Sequence, residues 1–212
     1  MIACDATFLS QLFNDKCVPP HDIAGKPVEG AKERILYFVK TLSKQRTVIV
    51  VPTPALSELL TILDEKAIPD VLNELRRSSR FKVEAFDEKA AIEAAIMTKS
   101  AFAEGHGKKD ALQSNWSKIK FDRQIMAIAR ALGVDTLYSD DIDMVTHGKR
   151  AGIRIVRTEE LPIPPDMEEP PLIKAMREAS EKAAAEKAAA EKVATENPPK
   201  TEPENMPKKT EA

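Results

Sequence analysis

The stretch TVIVVPTPALSELL, residues 47–60, reads as two elements joined without a loop. Val48, Ile49, Val50 and Val51 are consecutive β-branched apolar residues, the pattern of a strand buried on both faces of a parallel sheet. Thr53-Pro54 then opens a helix, with Thr53 as N-cap and Pro54 at the first helical position, where a missing N–H is harmless. Leu56, Leu59, Leu60 and Leu63 recur at helical spacing. A buried strand feeding an amphipathic helix is the unit from which α/β folds are built. Glu58 stands one turn into that helix, in a strongly apolar stretch where a charge needs a reason.

The same alternation extends both ways from this stretch. Upstream, Ile2–Cys4 is a short apolar run ending on Asp5, and Phe8, Leu9, Leu12 and Phe13 follow at helical spacing. Pro19, Pro20, Gly25, Pro27 and Gly30 punctuate a loop over 15–30, and 31–44 is helical with Ile35, Leu36 and Val39 on one face. Downstream, Pro69 starts a helix through Val71, Leu72 and Leu75, and residues 81–86 alternate apolar and polar, as in a strand with one wetter face. Asp87 caps an Ala-rich helix to about Glu104, and 105–119 is a Gly- and Lys-containing loop. Residues 121–132 form a helix that Gly133 ends in the left-handed region. A strand over 134–138, a short helix over 140–149 and a strand over 153–156 complete the pattern. Five strands alternating with helices predict a three-layer α/β fold, a mainly parallel sheet flanked by helices.

Composition breaks near residue 160. No aromatic residue follows Tyr138, no glycine follows Gly152, and nine of the 15 prolines follow Leu161. The expected organisation is a folded domain over 1–160 and a tail over 161–212. The tail has a Pro-punctuated linker over 162–171, an Ala/Glu/Lys segment of marginal helix over 172–195 and a disordered end. It holds 8 Lys/Arg and 11 Asp/Glu, which leaves 24 and 23 of the totals of 32 and 34 in the body. A near-neutral body does not advertise nucleic-acid binding by bulk charge, so any such contact needs local patches. Cys4 reads as core and Cys17 as loop; two such thiols make no disulfide framework and suit a reduced, cytoplasmic setting. No apolar run approaches the roughly 18 residues of a membrane span, and the first residues show no basic, then apolar, leader.

Acids fall where the strands end. Asp5 closes the first strand, Glu58 follows the second, Asp122 opens the helix before the fourth, and Asp140, Asp141 and Asp143 follow the fourth directly. In parallel sheets the carboxyl ends of the strands share one crevice, so these residues are expected to converge. Taken singly, an Asp at a helix start is most often an N-cap, and Glu58 an ordinary solvated helix residue. Carboxylates gathered in one place raise one another's pKa, and a hard divalent cation with oxygen ligands, Mg²⁺ or Mn²⁺, relieves them. No Cys/His zinc spacing competes: His21, His106 and His147 are scattered and read as surface or loop residues.

These residues resemble the PIN-domain family and, within it, the VapC-type toxins of bacterial toxin–antitoxin pairs. MIACDATFL, 1–9, is similar to the family's opening strand and places its metal-binding Asp at Asp5, with the hydroxyl residue two further on at Thr7. VPTPALSELL, 51–60, is similar to the second motif and gives Glu58; FDRQIMAIARALGV, 121–134, is similar to the third and gives Asp122. LYSDDIDM, 137–144, resembles the fourth, favouring Asp141 as ligand, Asp143 as a supporting acid and Ser139 as the hydroxyl, with the choice between Asp140 and Asp141 open. Met144 stands where Phe is usual, and the 15–30 and 105–119 segments are long for a minimal member.

The resemblance implies a metal-dependent endoribonuclease using Mg²⁺ or Mn²⁺, with an RNA substrate, an antitoxin protein as partner and a homodimeric state. Asp5, Asp122 and Asp141 would hold the ion, Glu58 would bind through water or orient the nucleophile, and Thr7 and Ser139 would donate hydrogen bonds. Basic groups for RNA are sought at Lys44 and Arg46, Arg76-Arg77 with Arg80, Lys108-Lys109, and Lys118, Lys120 and Arg123, with Trp116 as a stacking or core residue. Two rival readings are a haloacid-dehalogenase-like phosphatase, which wants a second Asp where Thr7 stands, and a non-catalytic module of the same fold that binds RNA or protein.

Overall fold

A computed structural model of the 212-residue chain describes residues 1–105 and 116–167. Its elements are β1 (Ile2–Cys4), α1 (Ala6–Phe13), α2 (Ala31–Lys44), β2 (Ile49–Pro52), α3 (Thr53–Ile62), α4 (Ile68–Arg77), β3 (Phe81–Glu84) and α5 (Glu88–Ala103). They continue with α6 (Trp116–Ala131), β4 (Thr136–Tyr138), α7 (Ile142–Ala151) and β5 (Arg154–Val156). The five strands form one sheet in the order β3-β2-β1-β4-β5, and every pairing is parallel. The α/β fold expected from the alternation is therefore the one observed. Met1–Met167 makes one compact unit. The Lys108-Lys109 pair, His106 and the tail beyond Met167 lie outside the described residues.

The hydrophobic pattern accounts for the sheet. Ile49, Val50 and Val51 of β2 are fully buried, as are Ala3 and Cys4 of β1 and Leu137 of β4. Each such aliphatic side chain contributes roughly 1.5–3 kcal/mol by leaving water. β3 is an edge strand whose Val83 is largely exposed, which explains its alternating sequence. Burial pushes the Cys4 thiol up, with Asp5 adding to the effect, so this cysteine is inert core. Cys17 is a free, partly buried loop thiol. Among the described residues no helix is long and apolar enough to cross a membrane.

Several boundaries differ from the sequence reading. Pro52, not Thr53, caps α3, and α6 already includes Trp116, five residues before the expected start. Asp122 is consequently not a helix-opening residue; it lies in the second turn of α6, with its side chain buried. His147, expected at the surface, is buried in α7. The chain also stays packed past 160. Leu161 is buried, Arg34 donates to the Leu161 and Glu159 carbonyls at 2.9 and 3.2 Å, and a turn of 3₁₀ helix covers Pro165–Met167.

One close approach fixes α7 on the sheet. A Cβ at Gly148 would stand 2.4 Å from Ile155 Cγ1 and 3.0 Å from the Ile153 carbonyl oxygen. Only glycine lets the helix lie this near β5. Gly148→Val is expected to destabilise the fold by about 3 kcal/mol, through overpacking that exceeds any gain in helix propensity. A urea midpoint unchanged in this variant would show that the α7–β5 contact yields easily.

Candidate functional site

The strand order places the site. From β1 the chain winds outward to β2 and β3, then crosses back to β4 and β5 on the other side. The connections from the carboxyl ends of β1 and β4 therefore leave in opposite directions, and a crevice opens between them. Asp5 and Ser139, the residues that follow β1 and β4, flank that crevice. Cys4 pairs with Tyr138 in register, and the Asp5 amide donates to the Tyr138 carbonyl at 3.1 Å.

Asp5 is 4% exposed and tightly held. Its Oδ1 accepts from the Phe8 amide at 3.1 Å, capping α1, and from Thr7 Oγ1 at 2.8 Å. Its Oδ2 accepts from Ser139 Oγ at 2.5 Å. The two hydroxyls also tie the next turn: Thr7 Oγ1 accepts from the Asp140 amide at 2.9 Å and Ser139 Oγ from the Asp141 amide at 3.1 Å. Burial raises the Asp5 pKa to about 6, although the bonds from Ser139, Phe8 and Thr7 pull it down. Each oxygen of a carboxylate has two acceptor sites, so Oδ2 retains capacity for a further partner.

Asp122 reaches the same crevice from α6. It is 5% exposed, and its Oδ2 has no hydrogen-bond partner among the described residues. Its pKa is raised to about 7, first by burial and then by Asp141, with Glu58 and Asp5 adding and Lys118 opposing. Glu58, half-buried on α3, is likewise raised by burial and by Asp141. So Asp141, Glu58 and Asp5, from three other elements, all act on the buried Asp122, and Asp141 also acts on Glu58. Asp141 caps α7 by accepting from the Asp143 amide at 2.8 Å.

Asp140 is used differently. Its Oδ1 accepts from the Thr158 amide at 2.8 Å and its Oδ2 from Thr158 Oγ1 at 2.6 Å. Burial raises its pKa, and the two Thr158 bonds oppose that rise. Asp140 thus joins the end of β4 to the 3₁₀ turn Thr158–Glu160 that follows β5. Of the doublet left open by sequence, Asp141 acts on Asp122 and Glu58, and Asp140 acts on Asp5. Thr158 was missed in the sequence, although its position just after a strand end was the available signal.

The basic residues depart furthest from expectation. Arg123 is 5% exposed, lies against the Trp116 ring at 5.6 Å and approaches Thr98 on α5, so it does not face solvent for RNA. Trp116 is half-buried, with Phe102 at 6.0 Å and Lys120 Nζ at 5.7 Å from its ring. Lys118 points at the acids: its Nζ lies 2.9 and 3.1 Å from the Asp141 oxygens and 2.7 Å from Asp143 Oδ2. Lys44, Arg46 and Arg80 precede β2 and β3, and so sit at the amino edge of the sheet, opposite the crevice. Lys120 remains exposed.

The donor set is all oxygen, one buried carboxylate oxygen is unpartnered, and the acids strain one another. That chemistry fits a hard divalent cation. As the side chains stand, no three His, Cys, Asp or Glu groups among the described residues are gathered closely enough to grip one ion. The Lys118 ammonium touches both Asp141 and Asp143. An open cavity of about 590 Å³ is bordered by Thr7, Gln11, Ile62, Asp140 and Ile142, and Asp5, Glu58, Asp122 and Asp141 are not in its lining.

Fold and site together define a doubly wound α/β protein with a carboxylate cluster at its switch point. No family model and no curated protein matches the chain. Among solved structures it is similar to one described as DNA-bound VapBC from Salmonella typhimurium, at 16% identity and a TM-score of 0.48. That likeness covers 74% of this chain and 99% of the other. Its small size makes it no basis for a function, which has to come from the site.

Proposed function

We propose that the protein is a metal-dependent endoribonuclease of the PIN type, acting as the toxin of a toxin–antitoxin pair. The observation that carries the reading is the buried Asp122 carboxylate, with Oδ2 unpartnered among the described residues, on which Asp141, Glu58 and Asp5 all act at the carboxyl edge of the sheet. They are the acids that the motif resemblance assigns. The toxin role, the antitoxin partner and a homodimer rest on that resemblance alone.

In this reading Asp5, Asp122 and Asp141 would hold one or two Mg²⁺ or Mn²⁺ ions, with Asp143 in support. A divalent cation bound there supplies Lewis acidity and lowers the pKa of a bound water. Thr7 and Ser139 keep the Asp5 carboxylate in one orientation. Water would add to phosphorus as the bridging P–O bond breaks, Glu58 would take the proton of that water, and the departing alkoxide would take a proton from solvent. A carboxylate raised toward the working pH suits this role better than an ordinary one. The phosphatase reading instead needs Asp5 as nucleophile, and a buried carboxylate with both oxygens hydrogen-bonded is poorly disposed for attack.

The test is cleavage of a labelled structured RNA in Mg²⁺, Mn²⁺ or EDTA. Metal-dependent cleavage is expected, with Asp5→Asn at least about 10²-fold slower. Full activity in Asp5→Asn would sink the assignment of the pocket. Stable RNA with turnover of a small phosphate ester would favour the phosphatase, and metal-independent RNA binding without cleavage would favour the binding module.

A further inference from the structure

The position of Lys118 has a consequence for the cation site. It opens α6 one turn before Asp122, so its side chain and that of Asp122 lie on the same face of the helix, four residues apart. From there its ammonium spans Asp141 and Asp143 at 2.7–3.1 Å. Asp122 Oδ2, buried and unpartnered, belongs to the same group of acids. The ammonium is thus a tethered monovalent cation bridging two carboxylates.

We propose that Lys118 and a divalent cation compete for Asp141 and Asp143, so that loading the site displaces the Lys118 ammonium to the rim of the crevice. This rests on the reading of these acids as a cation site. Each state offsets part of the acids' charge: one unit from Lys118 when the ion is absent, two from the ion when it is bound. The exchange also ties substrate contact to loading. Only after displacement does Lys118 carry a free charge beside the acids, where an RNA phosphate would pass. The sequence reading of Lys118 as an RNA contact would then hold for the loaded protein alone.

The first measurement is Mn²⁺ binding to the metal-free full chain, by calorimetry and by the electron paramagnetic resonance of free Mn²⁺. Lys118→Met should bind Mn²⁺ about tenfold more tightly than the natural protein, since a competing ion pair is gone. Lys120→Met removes the same charge from a lysine that lies over Trp116, and should change affinity by no more than about twofold. Equal tightening in the two variants would overturn the proposal, since the effect would then be bulk charge. Lys118→Arg retains a charge able to bridge both acids and should bind Mn²⁺ no more tightly than the natural protein.

A second readout needs no variant. In ¹⁵N-lysine spectra of the natural protein, saturating Mg²⁺ should move the Lys118 ammonium signal to the position of a solvated lysine. A signal unmoved at saturation, or no divalent binding at all, would overturn the proposal. RNA cleavage enters none of these measurements. An inactive protein that showed the exchange would count against the nuclease reading and leave the competition standing.

Discussion

Asp122→Asn should yield a protein that is more stable without metal and inactive with it. The carboxylate sits inside α6 and is 5% exposed, with one oxygen unpartnered and a pKa raised from 3.8 to about 7. At pH 8 the folded state must hold that group charged, at a cost of up to about 4 kcal/mol for a rise of roughly three units. An amide of the same shape removes the charge but leaves an N–H to satisfy, so a net gain of about 2 kcal/mol is expected. For a unit of this size that is a rise of about 4–8 °C in melting temperature in EDTA. Cleavage in Mg²⁺ should fall at least about 10²-fold. A variant that melts lower than the natural protein at pH 8 would show that the charge is not strained. One that cleaves normally would remove Asp122 from the site.

The second large effect is a pH dependence of unusual sign. Asp5 and Asp122 titrate near 6 and near 7 in the folded chain, against about 3.9 when unfolded. Between those values the folded chain holds protons that the unfolded chain has released. Their contribution to stability is complete below pH 4 and is lost as pH rises through 6 and 7. Glu58 and Asp140, also raised by burial, act in the same sense. Asp15 and Asp64 are lowered by Lys32 and Lys16 and act oppositely at lower pH, but those pairs are exposed and count for little. The metal-free protein should therefore melt at a higher temperature at pH 5 than at pH 8. Saturating Mg²⁺ should flatten the slope, since the ion replaces protons on the same oxygens. A melting temperature that climbs steadily from pH 5 to 8 in EDTA would contradict the buried acid cluster.

The sheet was legible because its signal is simple. Runs such as 48–51 are apolar without interruption, and strand ends in a parallel sheet share an edge. That rule brought Asp5, Glu58, Asp122 and Asp141 together from positions far apart in sequence. The start of α6 was harder to read. Trp116, Ile119 and Met126 mark its inner face, but the buried Asp122-Arg123 pair interrupts the apolar stripe, and periodicity fails where charge is buried. The division of labour between Asp140 and Asp141 depends on Thr158, which is 18 residues further on and beside a different strand. The amino-edge placement of Lys44, Arg46 and Arg80 was available from the same strand-end rule that found the acids. Lys118 carried no such mark, because an ammonium on a neighbouring acid and an ammonium on a phosphate look alike in a sequence.

The Asp5–Ser139 bond joins residues 134 apart in the chain. Asp5 is made well ahead of its partner after β4, which follows it by 134 residues. At 5–20 residues per second that interval is roughly 7–27 seconds. Throughout it the acids of β1 and α3 exist without those of α6 and α7, and β1 lacks the neighbour that completes its ladder. The central strand is thus made early and closed late, and a chain halted before residue 139 has no assembled crevice. Whatever chemistry the crevice supports would then begin only when translation of the folded unit is nearly finished.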